Sequence, residues 1–263
     1  MSQTRRAFLY NSARLLLAGT AFNSGLLSPL YANNSRPDTT GRPPIRAIAF
    51  DAFPIFDPRP VFGLAGRLFP DKGRAFSTLW RTRIFEYTWL RASAGQYQDF
   101  WACIEDAMLY TAQELQVNLS PDKHRQLMQA FLAIKAFPDV QPALAAFKKA
   151  GIKLAFLSNM TESMLSAGIK NSDLGGYFDH ILSTDKAKTF KPDPKAYNLA
   201  PEAFGLDKEE IAFVAFASWD AAGAKWFGFP TIWVNRLHFG EEVLKVQPDA
   251  VGFDMGVLRR FVL

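Results

Sequence analysis

Apolar positions along this chain fall into two alternating shapes. The run Ile45 to Asp51 is short and apolar, with β-branched and aromatic residues, and it ends on an acid, the pattern of a strand buried on both faces. Ile152 to Asn159, the stretch around His180 to Ser183, Glu210 to Ala217, and Pro230 to Asn235 repeat that shape. Between them Val140 to Ala150, Thr161 to Lys170, Pro194 to Phe204 and Trp219 to Phe227 carry helical spacing, with Asp193 and Pro194 suited to a cap and a first helical position. Strands alternating with helices predict an α/β fold: a Rossmann-like parallel sheet with helices on both faces.

One gap breaks the rhythm. Residues 58–138 carry helical patterning and no strand signal: Gly73 to Ala94, Tyr97 to Leu115 and Ser120 to Ile134 are amphipathic, the second with Phe100, Ile104, Ala107, Met108 and Thr111 at helical spacing. The segment is expected to form a helical cap inserted after strand one, leaving 45–57 and 139–263 as the α/β core. Its aromatic stripes are expected to be packing, and Cys103 a core residue. As the single cysteine, Cys103 forms no internal disulfide, and no Cys/His cluster has zinc spacing.

The N-terminus has the composition of an address. Residues 1–32 have a basic start, an apolar stretch from Leu15 to Phe22 and a small-residue exit at Ala32, as a removable signal would. Thr4 to Leu9, with Arg5 and Arg6 together and Phe8 two places on, resembles the twin-arginine export signal, which implies a translocon as partner and a periplasmic protein; a Sec signal is the alternative. Residues 33–44 are a polar linker. The formal charge is +5, and Arg5, Arg6 and Arg14 supply three of those charges, leaving +2 for the rest. With no basic block after them, nucleic-acid binding is not expected. No run approaches the ~18 apolar residues of a membrane-spanning helix.

In open parallel sheets ligands bind beyond the carboxyl ends of the strands. Strand one ends at Asp51, strand two at Ser158 and Asn159, strand three leads through Thr184 and Asp185 to Lys191, and strand four runs out to Asp220. Each residue taken singly has a bland reading: Asp220 as a helix cap, Asn159 as an Asx-turn, Lys191 as a solvated charge. Together they place an acid, a hydroxyl-amide pair, an amine and a second acid on one rim. The three histidines, His124, His180 and His238, are expected to have surface or structural roles.

This order and spacing resembles the haloacid dehalogenase superfamily, and most closely its type II (S)-2-haloacid dehalogenases. Leu79-Trp80-Arg81, Glu86 to Arg91, Leu157-Ser158-Asn159, Lys191-Pro192-Asp193 with Tyr197, and Trp219-Asp220-Ala221 with Phe227 to Pro230 carry the likeness, which spans about residues 45–237. It implies displacement of halide from short-chain (S)-2-haloacids by Asp51, through an aspartyl ester that water hydrolyses to the (R)-2-hydroxyacid. A carboxylate with a reference pKa of ~3.9 is ionised at neutral pH and attacks without a base. By the same resemblance Lys191 keeps Asp51 ionised, Asp220 positions Lys191 or the hydrolytic water, and Arg81 stabilises the halide or pairs with the substrate carboxylate. Ser158 and Asn159 hold that carboxylate, Tyr197 supports Lys191, and Phe53, Phe56, Tyr87 and Trp219 are candidates for a dry wall, each with a core role as the competing reading; Tyr197, Phe53 and Trp219 are expected with Ser158 and Asn159 as substrate-binding residues. A homodimer is also implied; no cofactor or metal is.

The chemistry separates branches of the superfamily. Its phosphatases place a second aspartate two residues after the nucleophile, where this chain has Phe53, and they hold magnesium on more carboxylates than Asp220 alone supplies after strand four. A phosphate-ester hydrolase is therefore the second reading, and an exported binder of small carboxylates the third. The chain also departs from the dehalogenase pattern. Pro54 and Ile55 stand where that family has Gly and Thr, the loop before Asp57 is a residue shorter, and Ala215 and Ala217 replace Ser and Asn. Each lost hydrogen-bonding partner of the transition state would weaken catalysis by up to a few kcal/mol.

Overall fold

The computed structural model describes residues 43–263, so the expected export signal and most of the expected linker lie outside the described residues. Strands β1 (Ala47–Phe50), β2 (Lys153–Ser158), β3 (His180–Ser183), β4 (Ile211–Ala215), β5 (Thr231–Val234) and β6 (Ala250–Gly252) form one sheet in the order β3-β2-β1-β4-β5-β6, every neighbouring pair parallel. Every residue of β1 and β4 is buried, as the continuous apolar runs require. Side chains alternate between two cores: Ile48, Phe50, Ala212 and Val214 enter one, and Ala47, Ala49, Ile211, Phe213 and Ala215 the other. Phe50 lies opposite both Phe156 and Val214, so the ends of β1, β2 and β4 come level at one rim.

Helices α1 (Ala52–Ile55), α2 (Arg59–Leu68), α3 (Gly73–Ser93), α4 (Phe100–Glu114), α5 (Pro121–Leu132) and α6 (Val140–Lys149) follow β1 before β2 is reached. Beyond β2 come α7 (Glu162–Asn171), α8 (Pro194–Phe204), α9 (Ser218–Phe227) and α10 (Met255–Val262). The expected cap forms, the Asp193 carboxylate accepting from the Lys195 N–H ahead of Pro194, and Ser120 likewise accepts from Lys123 ahead of Pro121. Helix α4 starts at Phe100 rather than Tyr97, because Asp99 caps it by accepting from Ala102 N–H at 2.8 Å. Periodicity missed α1, α2, β6 and α10. The first is a single turn, α2 carries Gly63 and Gly66, β6 is a half-exposed three-residue edge, and α10 has eight residues.

The helical insert shares a core with one face of the sheet. Trp80 is fully buried, donates its indole N–H to the Ile104 carbonyl at 2.9 Å, and meets Phe62 and Phe131 edge-on. Phe100, Cys103, Ile104, Ala107, Met108 and Thr111 are all buried on α4, so the stripe is packing except at Phe100, which also faces a cavity. Where α3 and α4 meet the rim, the contacts are aromatic: Trp219 packs against Phe85 at 5.4 Å and Trp89 at 5.3 Å, and Tyr97 against Phe190 at 5.1 Å. Tyr97 also donates to Asp185 Oδ1 at 3.0 Å, and Trp89 donates its indole N–H to the Lys191 carbonyl at 3.2 Å.

Helices α2 and α3 touch backbone to backbone at their near ends. A Cβ on Gly73 would lie 2.4 Å from the Gly66 Cα, whereas one on Gly63 meets nothing within 4 Å. Gly73→Ala is therefore expected to lower unfolding stability by about 1–3 kcal/mol. Gly63→Ala is expected to raise it by up to about 1 kcal/mol through helix propensity. Denaturant unfolding of both variants checks the pair, and equal shifts would contradict the packing.

Candidate active site

Asp51 leaves the end of β1 with its backbone N–H donated to the Val214 carbonyl at 2.9 Å, and its carboxylate caps α1 through Oδ2, which accepts from Phe53 N–H at 3.2 Å. Oδ1 accepts from Lys191 Nζ at 2.8 Å and from Ser158 Oγ at 3.3 Å. Lys191 Nζ also donates to Asp220 Oδ2 at 2.6 Å and sits 5.0 Å from the centre of the Phe213 ring. Asp220 lies in the first turn of α9, and its Oδ1 accepts from Tyr197 OH at 2.7 Å. A lysine 1% exposed thus bridges two carboxylates, themselves 8% and 2% exposed.

Burial alone would lower the Lys191 pKa, but the facing Asp220 and Asp51 outweigh it and hold the amine above the ordinary lysine range. Burial pushes Asp220 up to about 6, against the pull of Lys191. Burial, and then the Asp220 charge, push the Tyr197 phenol well above its usual value, so it stays a donor.

Asn159 is oriented by its carbonyl. Oδ1 accepts from Lys191 N–H at 3.0 Å and from Thr184 Oγ at 3.3 Å, while the buried Nδ2 has no partner among the described residues. The Asx-turn and helix-cap alternatives for Asn159 and Asp220 therefore give way to these tertiary contacts. Ser158 and Asn159 line a small chamber of about 20 Å³ with Asp51, Lys191 and Asp220. Its apolar wall is Phe53, Trp219, Phe85, Phe100, Phe216 and Met160.

Six of the sequence candidates, Asp51, Ser158, Asn159, Lys191, Tyr197 and Asp220, meet in one network. Tyr197 stands behind Asp220 rather than in the chamber wall, fully buried, and acts through that carboxylate. Arg81 lies outside the network on α3, its guanidinium 4.8 Å from the Phe239 ring centre, lining a larger cleft that adjoins the chamber. Phe56 and Tyr87 are not wall residues: Phe56 stacks on Phe156 at 5.3 Å in the core, and Tyr87 packs edge-on against Tyr110. His124 pairs with Glu105, His180 packs on Phe204, and His238 on Phe253, all away from the chamber.

The departures at positions 55 and 215 do not reach the chamber. Ile55 and Ala215 are fully buried in the two cores, and only Ala217 lines the cavity. The loop after Asp51 is held from outside instead. Arg236 donates Nε and Nη2 to the Pro54 carbonyl at 3.1 and 2.9 Å, and Nη1 to both oxygens of Asp139. Sequence patterning missed this arginine. Thr184, on the path from strand three to Lys191, and Trp89, inside the family-like segment Glu86 to Arg91, carried a signal but were given no role.

The bridge makes stability depend on pH. Between the ordinary aspartate value of 3.8 and about 6, Asp220 keeps a proton in the native chain that the unfolded chain has released, so this group's contribution falls as pH rises through that window. Lys191→Met leaves two buried carboxylates without a cation and is expected to cost about 3–5 kcal/mol at pH 7. That cost should shrink toward pH 4 as Asp220 takes up its proton. Urea unfolding at the two pH values checks this, and a pH-independent loss would contradict it.

A profile of haloacid dehalogenase-like hydrolases matches residues 55–228. An (S)-2-haloacid dehalogenase of Pseudomonas sp. (strain YL) is 40% identical over 206 residues, which are 78% of this chain and 89% of that protein. Haloacetate dehalogenase H-2 of Moraxella sp. (strain B) is 38% identical over 78% of this chain and 92% of its own length. The structure of the L-2-haloacid dehalogenase of Xanthobacter autotrophicus with chloropropionic acid covalently bound superposes with a TM-score of 0.76 at 32% identity, covering 83% of this chain and 98% of that one. With the buried Asp51–Lys191–Asp220 bridge at the rim of its parallel sheet, the chain belongs to the haloacid dehalogenase-like hydrolases.

Proposed function

We propose that this protein hydrolyses the carbon–halogen bond of (S)-2-haloacids, releasing halide and the (R)-2-hydroxyacid, with Asp51 as nucleophile. The observation that carries the reading is the Lys191 ammonium held between Asp51 Oδ1 and Asp220 Oδ2 beneath a wall of aromatic rings. The covalent chloropropionic acid in the Xanthobacter relative supports the same chemistry.

The two oxygens of Asp51 have different work. Oδ1 already accepts two donors, whereas Oδ2 accepts one and keeps a lone pair free. Oδ2 attacks C2 from the side opposite the halogen; the carbon–oxygen bond forms as the carbon–halogen pair leaves with the halide, and C2 inverts. A halide departs as an anion, so this step calls for no proton donor. The dry wall removes the hydration shell that would blunt a carboxylate nucleophile.

Hydrolysis of the ester then falls at the Asp51 carbonyl carbon. Water adds there, Oδ1 takes up the negative charge, and Lys191 Nζ and Ser158 Oγ are already directed at that oxygen. Asp220 lines the same chamber, and with a pKa of about 6 it takes the proton from water and returns it as the alkoxide leaves. The unpartnered Nδ2 of Asn159 is the donor for the substrate carboxylate. Arg81 supplies positive charge from the adjoining cleft, and Tyr197 fixes Asp220.

Folded export and a periplasmic location fit this reading of the Arg5–Arg6 pair, and replacing both arginines by lysine is expected to retain the precursor in the cytoplasm. For the activity, chloride released from (S)-2-chloropropionate without added metal is the assay. Asp51→Asn is expected to reduce it by about a thousandfold or more. Equal chloride from both proteins would overturn the assignment.

A further inference from the structure

The chamber is too small for the molecule that reacts in it. On a scale where one water needs ~10–15 Å³, its volume of about 20 Å³ holds little more than the leaving group or one small substituent. Beside it opens a cleft of about 810 Å³, within the range of sites that enclose a whole small ligand. The two adjoin, because Phe53, Phe85, Phe100, Phe216, Ala217 and Trp219 line both. Ala217 at this junction presents only a methyl group.

The character of the cleft says what it would take. Away from the shared wall it is lined by the rings of Phe62, Phe131 and Phe239, and by Gly63 and Gly66 on one side of α2. Its charged residues are the exposed Arg59, Arg74 and Glu242, the half-buried Glu86, which is paired with Arg83, and the half-buried Arg81, whose guanidinium is stacked on Phe239. Gly63 and Gly66 add no side chain to it, and a Cβ at either position meets nothing within 4 Å, so the space beside α2 is open. Such a surface suits an apolar chain whose carboxylate end is held in the chamber.

We propose that this cleft receives the apolar tail of the substrate, so that the preferred 2-haloacid carries an aliphatic chain at C2 well beyond the short-chain acids. C2 and its carboxylate meet Asp51 and Asn159, and the chain passes Ala217 into the space beside α2. The chemistry of this inference rests on the dehalogenase reading; the tail site itself does not.

Binding of unreactive alkanoates separates the two. Each methylene taken from water contributes about fourfold in affinity, equivalent to ~0.8 kcal/mol, so octanoate is expected to bind the full-length mature protein at least about tenfold more tightly than butyrate in a calorimetric titration. Gly63→Leu places a side chain into the open space and should collapse the octanoate-to-butyrate ratio toward one; Gly66→Leu provides a second variant should the first fold poorly. With halogenated substrates, the ratio of kcat/KM for 2-chlorooctanoate over 2-chloropropionate should fall in the same variants. Equal affinity of the two alkanoates, or a ratio that neither variant changes, would overturn the tail site. Halide release from no 2-haloacid, with the alkanoate ratio intact, would remove the dehalogenase reading and leave the tail site standing.

Discussion

A charged amine with 1% exposure has no water to solvate it, so the Lys191 side chain is tenable only where carboxylates surround it. Asp51 and Asp220 supply that environment from β1 and α9, and each is buried enough to need the amine in return. Ser158 from β2 and Tyr197 from α8 occupy further lone pairs of the two acids. Five segments of chain are therefore committed to one point. The parallel register is what makes this possible, because it brings the ends of β1, β2 and β4 level and sets their polar residues side by side.

The same constraint gives the site its chemistry. A nucleophile must be charged and poorly solvated at once, and an isolated buried carboxylate would take up a proton instead. Here the counter-charge lies on one oxygen of Asp51 and leaves the other open, so in the proposed reaction the group that keeps Asp51 in the fold would also stabilise the oxyanion formed when its ester is cleaved. Arg236 holds the following turn through the Pro54 carbonyl, and Trp89 holds the lysine's own carbonyl from the helical insert. The geometry rests on backbone groups anchored from outside the chamber.

The network was legible in the sequence because polar residues that end apolar strands are rare and sit at predictable places. Asp51, Ser158, Asn159, Lys191 and Asp220 could be placed on one rim before any distance was known. The wall was not legible. Phe85, Phe100 and Phe216 are three of 24 phenylalanines, and nothing local distinguishes a ring facing a cavity from one facing the core. For that reason Phe56 and Tyr87 were equally good candidates and proved to be packing. Ile55 and Ala215 illustrate the reverse: replacements of polar residues suggest damage to a site, yet both side chains turn into the cores, where an apolar group is the better fit. In the fold, long periodic helices and fully buried strands were readable, while α2, β6 and α10 were too short, too exposed or too glycine-containing to carry a period.

In the proposed reaction an oxygen of Asp51, not water, makes the new bond to carbon. A single turnover in heavy-oxygen water, with enzyme in excess over (S)-2-chloropropionate, tests it by mass spectrometry of the peptide containing position 51 and of the hydroxyacid. The account predicts heavy oxygen in the Asp51 carboxylate and ordinary oxygen in the product. Heavy oxygen in the product with an unlabelled Asp51 would mean direct attack by water and would contradict it.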